Sequence, residues 1–276
     1  MNDLLSLKRI SSFVPVLQAY KQANIDLFNF IDGGAGFGGT AKEMLPYLPQ
    51  DGKCFAFEPF PGNLRFFEGM DPRVQLIPKA LTSKKKISTF QVSSVVTQGS
   101  DWGKRGMEGY SSVGRLSDQS KTSGLHDIEV ECVRADEVID PSSRVGFVKL
   151  DLQGGEMEAL RGMSSFLQNV QLLWVEYSGQ PELYEFLSDS GFITFDTEYF
   201  FLGEPQTEAL NFFNISKRDI SLSIGMKAWF GFRNRAWNNY KTDFEKHKKS
   251  LKMIQTDLLC VNKKYIDNFI NASQFF

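Results

Sequence analysis

The sequence predicts an α/β fold built on a mainly parallel sheet, and three observations predict it. Short, near-continuously apolar runs recur along the chain, as strands covered on both faces do. Helix-like stretches alternate with these runs, the pattern of a doubly wound sheet. A turn carrying five glycines in the seven positions 33–39 follows the first run directly, where such sheets open toward a ligand.

Taken in order, residues 1–24 read as a helical extension and 25–276 as one larger domain. The strand candidates are "LFNFID" (27–32), "CFAFEP" (54–59), "VQLIPKAL" (74–81), "VGFVKLDL" (145–152), "QLLWVEY" (171–177), "FITFD" (192–196) and "DLLCVN" (257–262). Helices are expected at "GTAKEMLPYL", at "PGNLRFFEG" with Pro61 in its first turn, and at "GGEMEALRGMSSFLQ". A fourth, "PELYEFLSDSG", places Leu183, Phe186 and Leu187 on one face and Gly191 at its end. Residues 87–135 read as two β segments around a polar, glycine-rich loop, and 203–252 as a long basic, aromatic stretch. Insertions are therefore placed at about 94–127 and 203–252, with no repeat and no interdomain linker.

Composition narrows the class. Apolar residues make up 42% and charged residues 23% of the chain, which argues against disordered and fibrous proteins. No run approaches the roughly 18 apolar residues of a membrane span. The opening residues lack a basic region followed by an apolar core, so a cytoplasmic protein is expected. Cys54, Cys132 and Cys260 have neither CxxC spacing nor paired histidines, which suits packed thiols better than a zinc site; no metal is expected. The net charge of −2 is unevenly spread: residues 215–252 hold ten Lys/Arg against three acids, a possible interaction face.

The glycine turn is the first chemical signal. Gly34, Gly36 and Gly39 satisfy GxGxxG, and Glu58 stands 19 residues after Gly39 at the end of the next strand run. A dinucleotide fingerprint asks for the same, with pyrophosphate on the helix N-terminus and the acid on a ribose. The glycines equally read as Asp32-x-Gly34-x-Gly36-x-Gly38, the DxGxGxG of S-adenosylmethionine enzymes. The motif alone leaves both cofactors open. An acid directly before the turn would repel pyrophosphate but suits a ligand bearing an ammonium and a sulfonium, so Asp32 tilts the choice toward S-adenosylmethionine.

Four stretches then occur together and in order: "FIDGGAGFGGTA", "CFAFEPFPGN", "LIPKALTS" and "VGFVKLDLQGGEMEALRGM" (145–163). Together they resemble the FkbM family of methyltransferases, over roughly residues 28–202 and 256–264. The resemblance implies a class I methyltransferase fold, a Rossmann-like, doubly wound seven-stranded sheet of order 3-2-1-4-5-7-6 with an antiparallel last strand. It also implies S-adenosylmethionine as cofactor and O-methylation, typically of a sugar or secondary metabolite. Gly36 stands where the family commonly has Asn. Cofactor contacts carried over are Asp32, Gly34, Ala35, Gly36 and Gly38, Glu58 on the ribose, Ala80 and Leu81 near adenine, and Asp151; Asn63, Gly154 and Glu156 also match the family's motifs.

Methyl transfer needs an acceptor oxygen held in line and a group to take its proton. The catalytic candidates are Asp151, Glu176 at the end of "LLWVE", and His126. Ser111, Ser112 and Arg115 of "GYSSVGRL" are candidate acceptor contacts, as are Trp229 and Arg233 of "MKAWFGFRNRAWNNYK", where aromatics interleave with cations. That basic stretch keeps a nucleic-acid acceptor open, although the NPPY motif of base methylation is absent. A non-catalytic cofactor-binding scaffold and a NAD-dependent oxidoreductase are the further alternatives.

Overall fold

The computed structural model describes residues 12–92, 114–116, 126–140, 142–177, 181–197 and 256–275. The strands are β1 (Asn29–Gly33), β2 (Cys54–Phe57), β3 (Val74–Ile77), β4 (Ala80–Leu81), β5 (Lys86–Val92), β6 (Gly114–Leu116), β7 (His126–Val133), β8 (Val145–Leu150), β9 (Leu172–Tyr177), β10 (Phe192–Asp196) and β11 (Thr256–Asn262). The helices are α1 (Val14–Gln22), α2 (Gly39–Met44), α3 (Pro61–Leu64), α4 (Ala135–Val138), α5 (Glu156–Arg161), α6 (Pro181–Asp189) and α7 (Ile266–Ala272).

One sheet has seven strands in the order β3-β2-β1-β8-β9-β11-β10, which numbered within the sheet is 3-2-1-4-5-7-6. β11 runs antiparallel to both β9 and β10, and β1 runs parallel to β2 and β8. This is the class I methyltransferase fold that the sequence led us to expect. A smaller sheet has the order β4-β7-β5-β6.

"VQLIPKAL" is a correction: it is two strands. β3 pairs with β2, whereas β4 pairs with β7 of the smaller sheet. Pro78 between them has no N–H to give a ladder, and the chain turns there, with Lys79 N donating to the Ile77 carbonyl at 2.8 Å. The helix expected over "GGEMEALRGMSSFLQ" also stops early, at Arg161. Gly162 sits so tightly against the Thr82 carbonyl that a side chain would collide with it.

The described chain forms two compact units. Residues Phe28–Asn169 form one, and Met1–Leu27 with Val170–Phe276 the other. In the first, Phe30, Ile31, Phe57, Phe147, Val148 and Leu150 are buried, and Phe30 meets Phe147 edge-to-face at 5.6 Å. β2 and β8 bury every side chain, as strands covered on both faces do. In the other unit α1 packs on α7, and Leu183 and Leu187 of α6 are fully buried. Cys54, Cys132 and Cys260 are buried free thiols.

Candidate functional site

The turn after β1 places the site. Its backbone is left-handed at Gly34 (φ +79°) and Gly38 (φ +77°), which glycine adopts at little cost. A side chain at Gly34 would run into the Asp151 carbonyl, and one at Gly38 into Met70. The turn is tied down through its own amides. Gly34 N and Ala35 N both donate to the Phe57 carbonyl at 3.1 and 3.0 Å, and Gly38 N donates to Ala35 O at 2.8 Å. Gly36 N donates to Glu58 Oε2 at 2.7 Å.

Glu58 leaves β2 at its carboxyl end and is buried. Phe60 N donates to its Oε1 at 2.8 Å. Burial pushes its carboxyl up to about 7, against the hydrogen bonds from Phe60, Gly36 and Asn63 that favour the charge. Those three donors occupy three of the roughly four lone-pair sites of the carboxylate, so the group can still receive a hydroxyl.

Asp32 lies wholly buried below the turn, where the Ala41 amide and the Lys149 ammonium favour its charge and burial opposes it. Parallel pairing of β1 with β8 sets Asp32 opposite Lys149, whose Nζ stands 3.7 Å from Oδ1. Burial raises the Asp32 carboxyl to about 6 despite that ammonium.

The third acid, Asp151, ends β8. Gln153 Nε2 donates to its Oδ1 at 2.8 Å, and Lys149 Nζ stands 3.6 Å from Oδ2. Gln153 itself has φ +54°, a left-handed conformation that a non-glycine residue rarely adopts. Glu156 holds this second turn: its buried Oε1 accepts Leu152 N at 2.8 Å and Gly154 N at 3.2 Å. Burial raises its carboxyl as well.

These turns open on one cavity of about 660 Å³, within the range of small-molecule sites. Gly34, Ala35, Gly36, Glu58, Ala80, Leu81 and Asp151, all expected from the sequence, line it together. Phe60, Phe90 and Leu116 add an apolar wall, the last two from the smaller sheet, and Phe60 and Leu116 pack on the core of Phe90, Val92 and Val130. Asp32 and Gly38 are not in the lining; they support it from behind.

The remaining candidates fall elsewhere. Glu176 lies on β9 in the other unit, opposite Asp257 across the β9–β11 pair, and does not line this cavity. The backbone of His126 pairs with Val92 and that of Arg115 with Gln91. Ser111, Ser112, Trp229 and Arg233 lie outside the described residues. Among the described residues no group of His, Cys, Asp and Glu could hold a metal ion, and no helix is long and apolar enough to cross a membrane.

Sequence reading missed Lys149, the cation that contacts two of the three acids and lines the cavity. A signal was present: a lysine inside a fully buried strand demands a counter-charge, and Asp32 stands on the neighbouring strand.

A family model described as "Methyltransferase FkbM domain" matches residues 32–195. Among solved structures, the chain is similar to a methyltransferase FkbM from Methylobacillus flagellatus KT, at 13% identity and a TM-score of 0.35, over 59% of this chain and 37% of that one. It is also similar to precorrin-6y C5,15-methyltransferase from Geobacter metallireducens GS-15, at 15% identity and a TM-score of 0.36, over 68% of this chain and 75% of that one. The match thus spans well under half the length of the first of these. No curated protein matches the chain in sequence.

Proposed function

Because the chain belongs to the FkbM methyltransferase family, we propose that it is an S-adenosylmethionine-dependent O-methyltransferase acting on a hydroxyl of a saccharide or other polyhydroxylated metabolite. The observation that carries the cofactor reading is the destination of the glycine turn's amides. Gly34, Ala35, Gly36 and Gly38 all give their N–H groups to protein acceptors. A pyrophosphate would need such donors for itself. It would also face Glu43, Glu58, Asp151 and Glu158 against Lys84, Lys86 and Lys149 in the lining, with Asp32 behind them, a surplus of negative charge that favours a cationic ligand.

The residues fit that ligand. The side-chain-free turn at Gly34 and Gly36 leaves room for a methionine tail and ribose, Glu58 has a lone pair left for a ribose hydroxyl, and Ala80, Leu81 and Phe60 offer an apolar wall to adenine. When bound there, the cofactor supplies a methyl group on a cationic sulfur, open to in-line attack by an acceptor oxygen. Asp151 faces the same cavity with one oxygen held by the Gln153 amide, and it is the group we assign to receive the acceptor's proton. Glu176 and His126 remain candidates for that role, and Ser111, Ser112, Arg115, Trp229 and Arg233 for contacts to the acceptor.

Calorimetry with S-adenosylmethionine, S-adenosylhomocysteine and NAD tests the cofactor. Micromolar or tighter binding of NAD with no binding of either sulfur ligand would overturn the reading. Transfer of a labelled methyl group to a panel running from monosaccharides to oligonucleotides tests the acceptor; label appearing only in nucleic acid would replace the saccharide assignment.

A further inference from the structure

Lys149 and Asp151 are two residues apart on β8 and its end, and strand alternation sets their side chains on one face. The Lys149 side chain is only 11% exposed, and its Nζ lies 3.7 Å from Asp32 and 3.6 Å from Asp151. One ammonium thus serves two carboxylates. The cluster carries one excess negative charge, and Lys149 and Asp151 present it to the cavity.

Resting on the methyltransferase reading above, we propose that Lys149 is a positioning residue that keeps Asp32 and Asp151 ionised together. The site then holds a net negative charge for a sulfonium and binds it ahead of the uncharged thioether left after transfer. The groups acting on Asp32 are Lys149 and Asp151 from β8, Glu58 beyond β2, and the Cys54 thiol of β2, which burial holds protonated. Without the lysine, two carboxylates share a poorly solvated space, and one of them takes up a proton. Asp32 is that one, being wholly buried, whereas the Asp151 side chain is 45% exposed and accepts a bond from the Gln153 amide. A cationic ligand must then expel the proton, and its affinity gains up to tenfold for each pH unit.

Calorimetry between pH 7 and 9 on the full chain, its K149M and K149R variants and the double variant D32N/K149M tests this. Expected are an S-adenosylmethionine affinity of K149M that rises relative to wild type by nearly tenfold per pH unit, and a binding heat that depends on the buffer as one proton is released. S-adenosylhomocysteine should change far less, and K149R and D32N/K149M should follow the wild-type profile. K149M with the wild-type pH profile, or weakened equally toward both ligands at every pH, overturns the proposal.

If wild type binds neither ligand, the methyltransferase reading fails, and the unliganded proteins decide the role of Lys149. K149M should then lose stability relative to D32N/K149M as pH rises from 6 to 9, and parallel curves would overturn it. Failure of both variants to fold even at pH 6 also overturns it, because the lysine would then hold structure rather than charge. A fold lost in K149M and regained in D32N/K149M supports it.

Discussion

Replacing Asp32 by Asn should stabilise the unliganded protein at neutral pH, by an amount that the burial of this carboxylate sets. Asp32 is fully buried, and its carboxyl rises from 3.8 to about 6. Since the native state holds the proton more tightly than the unfolded chain, stability from this group is fully present below pH 3.8. It is lost as pH climbs through about 6. The gap between the two values corresponds to about 3 kcal/mol at 1.36 kcal/mol per pH unit. Asn has no such ionisation. Any fixed cost of burying its amide is the same at both ends of the titration, so the quantity to read is how the difference between the two proteins changes with pH. Urea unfolding of both proteins at pH 3.5 and 7.5 supplies it. The variant should gain about 3 kcal/mol on wild type between those conditions, and the gain should fall between about pH 4 and 6. A difference that does not move with pH, or that moves toward the wild type, would refute the placement of a fully buried ionised acid under the turn.

Three further outcomes follow from the same geometry. Glu58→Ala should weaken S-adenosylmethionine binding by roughly two orders of magnitude, since hydrogen bonds to a charged acceptor contribute about 1.5–3 kcal/mol each; unchanged affinity by calorimetry would remove Glu58 from the ribose. Wild-type cofactor affinity should rise with pH and level off above about 7, because Glu58 must lose its proton to receive a ribose hydroxyl and burial holds that proton up to about 7; a flat profile from pH 5 to 8 would contradict this. Gly34→Ala should cost more than about 3 kcal/mol of stability, as its methyl would meet the Asp151 carbonyl in a left-handed turn; a melting temperature within a degree of wild type would show that the two turns do not pack as described.

Much of the sheet was legible because burial on both faces writes itself as unbroken apolar runs. "CFAF", "VGFVKL" and "LLWVEY" all became strands over those residues. The failure at residues 74–81 has a different origin. Every residue there suits a strand except Pro78, and hydropathy does not register a missing N–H that sends β3 and β4 into different sheets. Helix lengths were also over-read, since α2, α3 and α5 are only four to six residues long, and a tight approach such as Gly162 on Thr82 is a property of the fold rather than of the local pattern. At the site, Glu58 and Asp151 were found by their position after strands. Lys149 was not, because its role depends on the parallel register that sets it against Asp32.

Register also sets where the amides of the glycine turn point. GxGxxG specifies where a backbone can turn without side chains, but it is silent on where the freed amides point. Here the Gly36 amide points at the acid at the end of β2, at 2.7 Å. The Gly34 and Ala35 amides close on the Phe57 carbonyl. A turn wired in this way spends its donors on fixing an acid in place, and the carboxylate, rather than the amides, becomes the group offered to a ligand. The pairing of Gly33 with Phe57, one residue before Glu58, is the feature that sets this acid against the turn.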